Sequence, residues 1–169
     1  EEECLDLFVK DFETNEKMPK ELKKKIKEST TFLEGLATLR QLSFAFLDMA
    51  YHTSPADEIN NILDFEAKTM QPFDLYPAID GTSMSCSFGH IFAGGYAAGY
   101  YSYKWAEVLD ADAFEAFKEN GLFDTKTAKS FKENILEKGG SLDPSELYKN
   151  FRGREPKPEA LLKRAGLIS

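Results

Sequence analysis

The sequence predicts an all-α fold, an irregular multi-helix bundle, on three observations. Apolar residues recur three and four positions apart through most of the chain. Helix start signals that combine a cap residue with proline stand at Ser54-Pro55 and Asp143-Pro144. No stretch reads as a strand.

Taken in order, Cys4–Phe12 places Leu5, Phe8, Val9 and Phe12 at helical spacing. Pro19 suits the first turn of a second helix running to about Glu28, whose lysines between Lys20 and Lys27 read as a solvated face. Ser29 or Thr30 caps a third, with Phe32, Leu36, Leu39, Leu42, Phe46 and Met49 as its inward series. Phe44, Ala45, Leu47 and Ala50 make its second half apolar on most sides, so it should be buried, and Arg40 and Asp48 then need partners or a wet cleft.

Ser54-Pro55-Ala56-Asp57 starts a fourth helix, which should carry Ile59, Ile62, Leu63 and Phe65 inward and end near Gln71. Pro72–Gly89 reads as a long loop, and long loops in compact domains are usually functional. A central helix is expected from Gly95 or Tyr96 to about Lys118, closed by Gly121. Asp124 or Thr125 caps a helix to Lys138 that stops at Gly139-Gly140. Asp143-Pro144-Ser145-Glu146 opens a short helix to Phe151, and a last one spans about Glu159–Arg164.

The length of 169 residues fits one domain, 1–169. A net charge of −8 argues against a nucleic-acid or anionic-membrane partner, since phosphate binding needs a basic face. No apolar run is long enough to span a membrane. Cys4 and Cys86 are too few for a C-x-x-C metal knuckle, and they read as free thiols in a reducing, cytoplasmic setting. The start at Glu1-Glu2-Glu3, without Met, suggests a processed chain or a piece of a longer one.

The chemistry concentrates in His90–Tyr103, H-I-F-A-G-G-Y-A-A-G-Y-Y-S-Y. On a continuous helix Tyr96 and Tyr103 would share a face about 10 Å apart along the axis. Such a row of phenols is either aromatic core with satisfied hydroxyls or a set of donors facing a cleft. The glycines would let the segment bend over a ligand. His52, at a helix end, reads as a capping or packing residue. No H-E-x-x-H, P-loop, G-x-G-x-x-G or G-x-S-x-G motif is present.

The run Phe88–Glu107 closely resembles the C-terminal part of the thimet oligopeptidase, oligopeptidase A and bacterial peptidyl-dipeptidase family of zinc metallopeptidases. The likeness extends to Phe12-Glu13-Thr14-Asn15-Glu16, Arg40–Ala45, Leu47–His52, Gly139-Gly140-Ser141, Asp143-Pro144 and Phe151–Pro156, in the family's order. It implies an all-helical part of the catalytic region of a larger zinc peptidase that hydrolyses short peptides. By the resemblance, His90 and Tyr96 contact substrate, Gly94 and Gly95 belong to the flexible loop that does so, and Tyr103 stabilises the tetrahedral oxyanion.

The family's zinc ligands and water-activating glutamate have no counterpart in the sequence. No metal ligand is assigned, and zinc is expected in the full-length enzyme only. The expected partners are peptide substrates and the rest of the parent polypeptide. Self-association of this chain alone would follow from apolar surface and need not be biological. A non-catalytic helical peptide-binding module is the competing class. The family's histidine before F-x-T-G-E is Asp11 here and its glycine is Asn15, a residue that tolerates a left-handed turn.

Overall fold

A computed structural model of the chain describes residues 1–168. They form two compact units, Glu1–Glu34 and a larger one from Gly35 onward. Both are helical, and the one strand-like pairing among the described residues is an isolated bridge between Lys10 and Lys17.

In the first unit, α1 spans Glu2–Phe8, shorter than its apolar spacing suggests, and α2 spans Lys20–Ser29 behind Pro19. The turn between them is held by Asp11. Its Oδ1 accepts the backbone N–H groups of Glu13 (3.0 Å) and Thr14 (2.9 Å) and the Thr14 hydroxyl. Those hydrogen bonds, Thr14 first, hold its carboxyl below the ordinary range. Asn15 takes the left-handed conformation, φ 60°, so the turn survives without its glycine. The lysine run is not uniformly solvated: Lys23 is buried and ion-paired with Asp6 and Glu2.

The second unit is built on α3, Glu34–Thr53, which is buried along Ser43, Phe44, Ala45, Leu47 and Asp48. Phe44 and Leu47 form a core cluster with Phe88 and Ile91. The expected inward series of this helix is displaced. Phe32, Leu39, Phe46 and Met49 are exposed, Phe46 by 54%. Both sides of the helix are apolar, so spacing alone did not say which one faces this core. Arg40 stacks over the Phe44 ring at 4.8 Å.

After a single 3-10 turn at Ala56–Glu58, α4 begins only at Ile62 and runs to Met70. Asn61 sets that start, since its side chain accepts the N–H groups of Leu63 (2.9 Å) and Asp64 (3.3 Å). Ile59 and Phe65 are half-buried as expected, whereas Ile62 and Leu63 are exposed. The stretch from Pro72 to Gly89 is largely irregular, with short 3-10 turns at Gln71–Phe73 and Ser85–Ser87. Its end is fastened to α4, because Glu66 accepts the N–H groups of Met84 (2.8 Å) and Ser85 (2.7 Å) and the hydroxyls of Ser83 and Ser85. The Tyr51 hydroxyl, on α3, meets Ser85 Oγ at 2.6 Å.

The short α5, Gly89–Phe92, leads through turns to α6, Ser102–Asn120, which Gly121 closes at φ 115°. Asp124 caps α7, Thr125–Phe131, which widens into a π turn over Lys132–Leu136. Asp143 caps α8, Pro144–Arg152, and α9 covers Glu159–Arg164 and packs on α6. Buried Asp112 of α6 binds the Arg154 guanidinium through both oxygens, at 2.7 and 2.8 Å, and the Tyr148 hydroxyl at 2.6 Å. No helix among the described residues is long and apolar enough to cross a membrane.

Candidate functional site

The tyrosine segment is not a helix. The central helix was expected from Gly95 or Tyr96, but α6 begins at Ser102. Three causes are visible. Gly95 (φ 81°) and Ala98 (φ 52°) sit in the left-handed region, which breaks a helical run. Gly94 is pressed so close to α5 that a Cβ there would lie 2.9 Å from the Cα and carbonyl oxygen of His90. Finally, Asp48, fully buried on α3, accepts the N–H of Ala98 at 2.9 Å and of Tyr100 at 2.8 Å, taking donors that a helix would have used.

The resulting coil gathers the predicted residues. His90 and Tyr96 have ring centroids 6.0 Å apart, and Tyr96 stacks on Tyr103 at 5.2 Å with 26° between the planes. The two phenols are thus face to face, not separated by two helical turns. Tyr100 lies behind them, 5.0 Å from Tyr103, 6.0 Å from His90 and edge-on to Phe88 at 5.1 Å. Its hydroxyl donates to Gln41 Oε1 at 3.4 Å, so it belongs to the satisfied aromatic core, not to the open side. Tyr101 does not pack: it is 54% exposed at the start of α6.

Tyr103 is 41% exposed while its ring remains wedged between Tyr96 and Tyr100. Hydrogen bonding with the Tyr96 side chain, then burial and the two neighbouring phenols, hold its pKa above the usual value. Its proton is therefore kept well beyond neutral pH, so the group is an O–H donor. Burial likewise pushes Tyr100 up, partly offset by the charge of Arg40. His90 is exposed beside Tyr96 and Tyr100, and Gly94 and Gly95, also exposed, lead from it to Tyr96. The arrangement offers a flat aromatic wall with a protonated phenol on its open side, suited to packing along an extended peptide and donating to a carbonyl oxygen.

His52 turns back on its own helix. Its Nδ1 lies 2.8 Å from the Asp48 carbonyl oxygen and 2.9 Å from Asp48 Oδ1. This is the helix-end capping expected of it, and the second contact places it beside the Asp48 carboxylate. Of the two expectations for Asp48, partners or a wet cleft, the first holds, and the partners are the amides of Ala98 and Tyr100.

No three His, Cys, Asp or Glu side chains among the described residues are grouped to hold a metal ion. The residues present do not fit the zinc that the family resemblance implies. A separate apolar cavity of about 460 Å³ lies among α6, α7 and α8, lined by residues such as Phe114, Phe117, Phe131 and Leu147, and shares no residue with the tyrosine cluster.

The chain matches the model of peptidase family M3 over residues 1–167. It is 45% identical to oligopeptidase A of Haemophilus influenzae over 170 residues, covering 100% of this chain and 25% of that protein. It is 46% identical to the organellar oligopeptidase A of Arabidopsis thaliana (96% of this chain, 21% of that protein). To the dipeptidyl carboxypeptidase of Escherichia coli it is 36% identical (95% of this chain, 24% of that protein). The chain thus spans about a quarter of the length of these relatives.

Proposed function

The chain belongs to peptidase family M3, and on that premise we propose that its aromatic cluster is the substrate-facing wall of a peptidase that hydrolyses short peptides. Support comes first from one observation: Tyr103 stacks its ring on Tyr96 at 5.2 Å and is still 41% exposed. The relatives named oligopeptidase A and dipeptidyl carboxypeptidase support the substrate class.

In this reading Tyr96 and His90 lie along the bound peptide, and the exposed Gly94 and Gly95 let its backbone approach closely. Tyr103 donates its hydroxyl hydrogen bond to the scissile carbonyl oxygen. That bond strengthens as the oxygen gains charge, so it lowers the barrier more than it tightens ground-state binding. The packed aromatic neighbours hold the phenol in place and exclude water around it. Zinc and the water-activating glutamate implied by the family belong to the rest of the parent polypeptide. The exposed apolar side chains of α3, Phe46 and Met49 among them, are the surface on which that remainder packs.

By itself the chain is then expected to hydrolyse no peptide and to bind no stoichiometric zinc. Elemental analysis finding one tightly bound zinc per chain would overturn that division of labour. The oxyanion role is tested by Tyr103→Phe in the full-length protein, where kcat should fall about 10²-fold while KM moves little. An unchanged kcat would remove the role and favour a binding module without chemistry.

A further inference from the structure

A carboxylate that is wholly shielded from water needs its lone pairs satisfied. Asp48 achieves this with groups from only two places. Oδ1 accepts the Ala98 N–H (2.9 Å) and meets His52 Nδ1 (2.9 Å), while Oδ2 accepts the Tyr100 N–H (2.8 Å). The acceptor sits on the buried face of α3, beside Phe44 and Leu47, and both amide donors lie on the coil that displays the tyrosines.

Apart from the Tyr100 side chain, which packs on Phe44 and Phe88 and reaches Gln41, that coil is joined to α3 by these two amides. Gly95 and Gly99 are conformationally free, and Ala98 occupies φ 52°, a region in which alanine is strained. The coil's own backbone bonds are local: Tyr96 N–H donates to the His90 carbonyl on α5 (3.0 Å), Gly99 N–H to that of Tyr96 (2.8 Å), Ser102 N–H to that of Gly99 (3.0 Å) and Tyr103 N–H to that of Tyr100 (3.2 Å), and none of these reaches α3.

From this we infer that Asp48 is a positioning residue: by clamping the amides of Ala98 and Tyr100 it sets Tyr96 and Tyr103 in their stacked arrangement. The kinetic consequence rests on the reading of Tyr103 given above, whereas the mechanical one does not. His52, on the same helix as Asp48, places Nδ1 beside the carboxylate but ties no part of the coil. Asp48→Asn is the sharp probe, because it keeps the shape but places an NH2 group where one N–H donor now points.

The experiment uses the full-length peptidase and has two arms. Amide hydrogen exchange of the wild type should show Ala98 and Tyr100 protected about 10²-fold or more over free-chain rates. Unprotected amides there would overturn the inference without any variant needing to fold. In the kinetic arm, Asp48→Asn should lower kcat about tenfold or more with a smaller change in KM. Added to Tyr103→Phe, it should cost less than about threefold further, since both act through one hydroxyl. Losses that simply multiply would mean that Asp48 does not work through Tyr103 and would sink the proposal. If Tyr103→Phe alone leaves kcat unchanged, the oxyanion reading fails, and the clamp is then decided by the exchange of Ala98 and Tyr100 in wild type and Asp48→Asn.

Discussion

Tyr96 and Tyr103 stack at 5.2 Å across seven positions of chain that no helix joins. The contact exists because the backbone between them is folded back on itself. Removing the Tyr96 ring should therefore act on Tyr103. Tyr96→Ala in the full-length protein is expected to lower kcat as well as raise KM, whereas Tyr101→Ala, at an exposed site, should change neither by more than about twofold. Steady-state kinetics on a short fluorogenic peptide would separate the two parameters.

The same neighbours keep Tyr103 protonated. Its pKa is raised, so the donor form is complete below the ordinary phenol value and is lost only as pH rises through the higher folded value. An absorbance titration of phenolate, comparing wild type with Tyr103→Phe, should assign Tyr103 to the late-ionising fraction. Ionisation below the ordinary phenol value of about 10 would contradict the packing described.

Gly94 and Gly95 should respond unequally to alanine. A methyl group at Gly94 meets backbone atoms of His90 at 2.9 Å, so α5 must move. At Gly95 the space is open and only the left-handed φ of 81° resists, a cost of about 1–2 kcal/mol. Gly94→Ala should therefore reduce kcat/KM far more than Gly95→Ala. Equal losses would show that the close approach at Gly94 is unimportant.

Two carboxylates should govern acid stability. Burial opposes ionisation at both Glu66 and Asp112. It is outweighed at Glu66 by hydrogen bonds from Ser85, Met84 and Ser83, and at Asp112 by Arg154 and Tyr148, so both carboxyls sit below their ordinary values. A depressed folded pKa gives stability that is present above the unfolded value, near 4, and lost as pH falls through the folded one. Stability, followed by circular dichroism, should thus weaken mainly below about pH 4. Asp112→Ala should cost about 2–4 kcal/mol at neutral pH, since it leaves the buried Tyr148 hydroxyl without its acceptor and removes the charge facing the Nε of Arg152 and the partly exposed Arg154. A loss below about 1 kcal/mol would show the network to be dispensable.

Much of the helical plan was legible because caps are local. Pro19, Asp124, Asp143 and Gly121 announce their boundaries within a few residues, and the helices begin or end there. What could not be read depends on distant partners. The stripe of Phe46 and Met49 looks like core because it is apolar, and the side of α3 facing this core is decided instead by Phe88 and Ile91. The start of α6 was misplaced because the donors of Ala98 and Tyr100 are claimed by a residue 50 and 52 positions earlier. His90, Tyr96 and Tyr103 stood out as residue types. Their distances came from a fold-back that periodicity cannot express.

That long-range claim also sets an order of events. The turn at Ala98 is locally unfavourable and is stabilised only once α3 has formed and docked against it, and contacts so far apart in sequence close slowly. The wall should consequently be among the last features to mature as the chain folds. Pulse-labelling during refolding should find the amides of Ala98 and Tyr100 protected after those of α3 and α6. Until then the segment is an open, tyrosine-rich coil, the natural place for a protease or a chaperone to meet the immature protein.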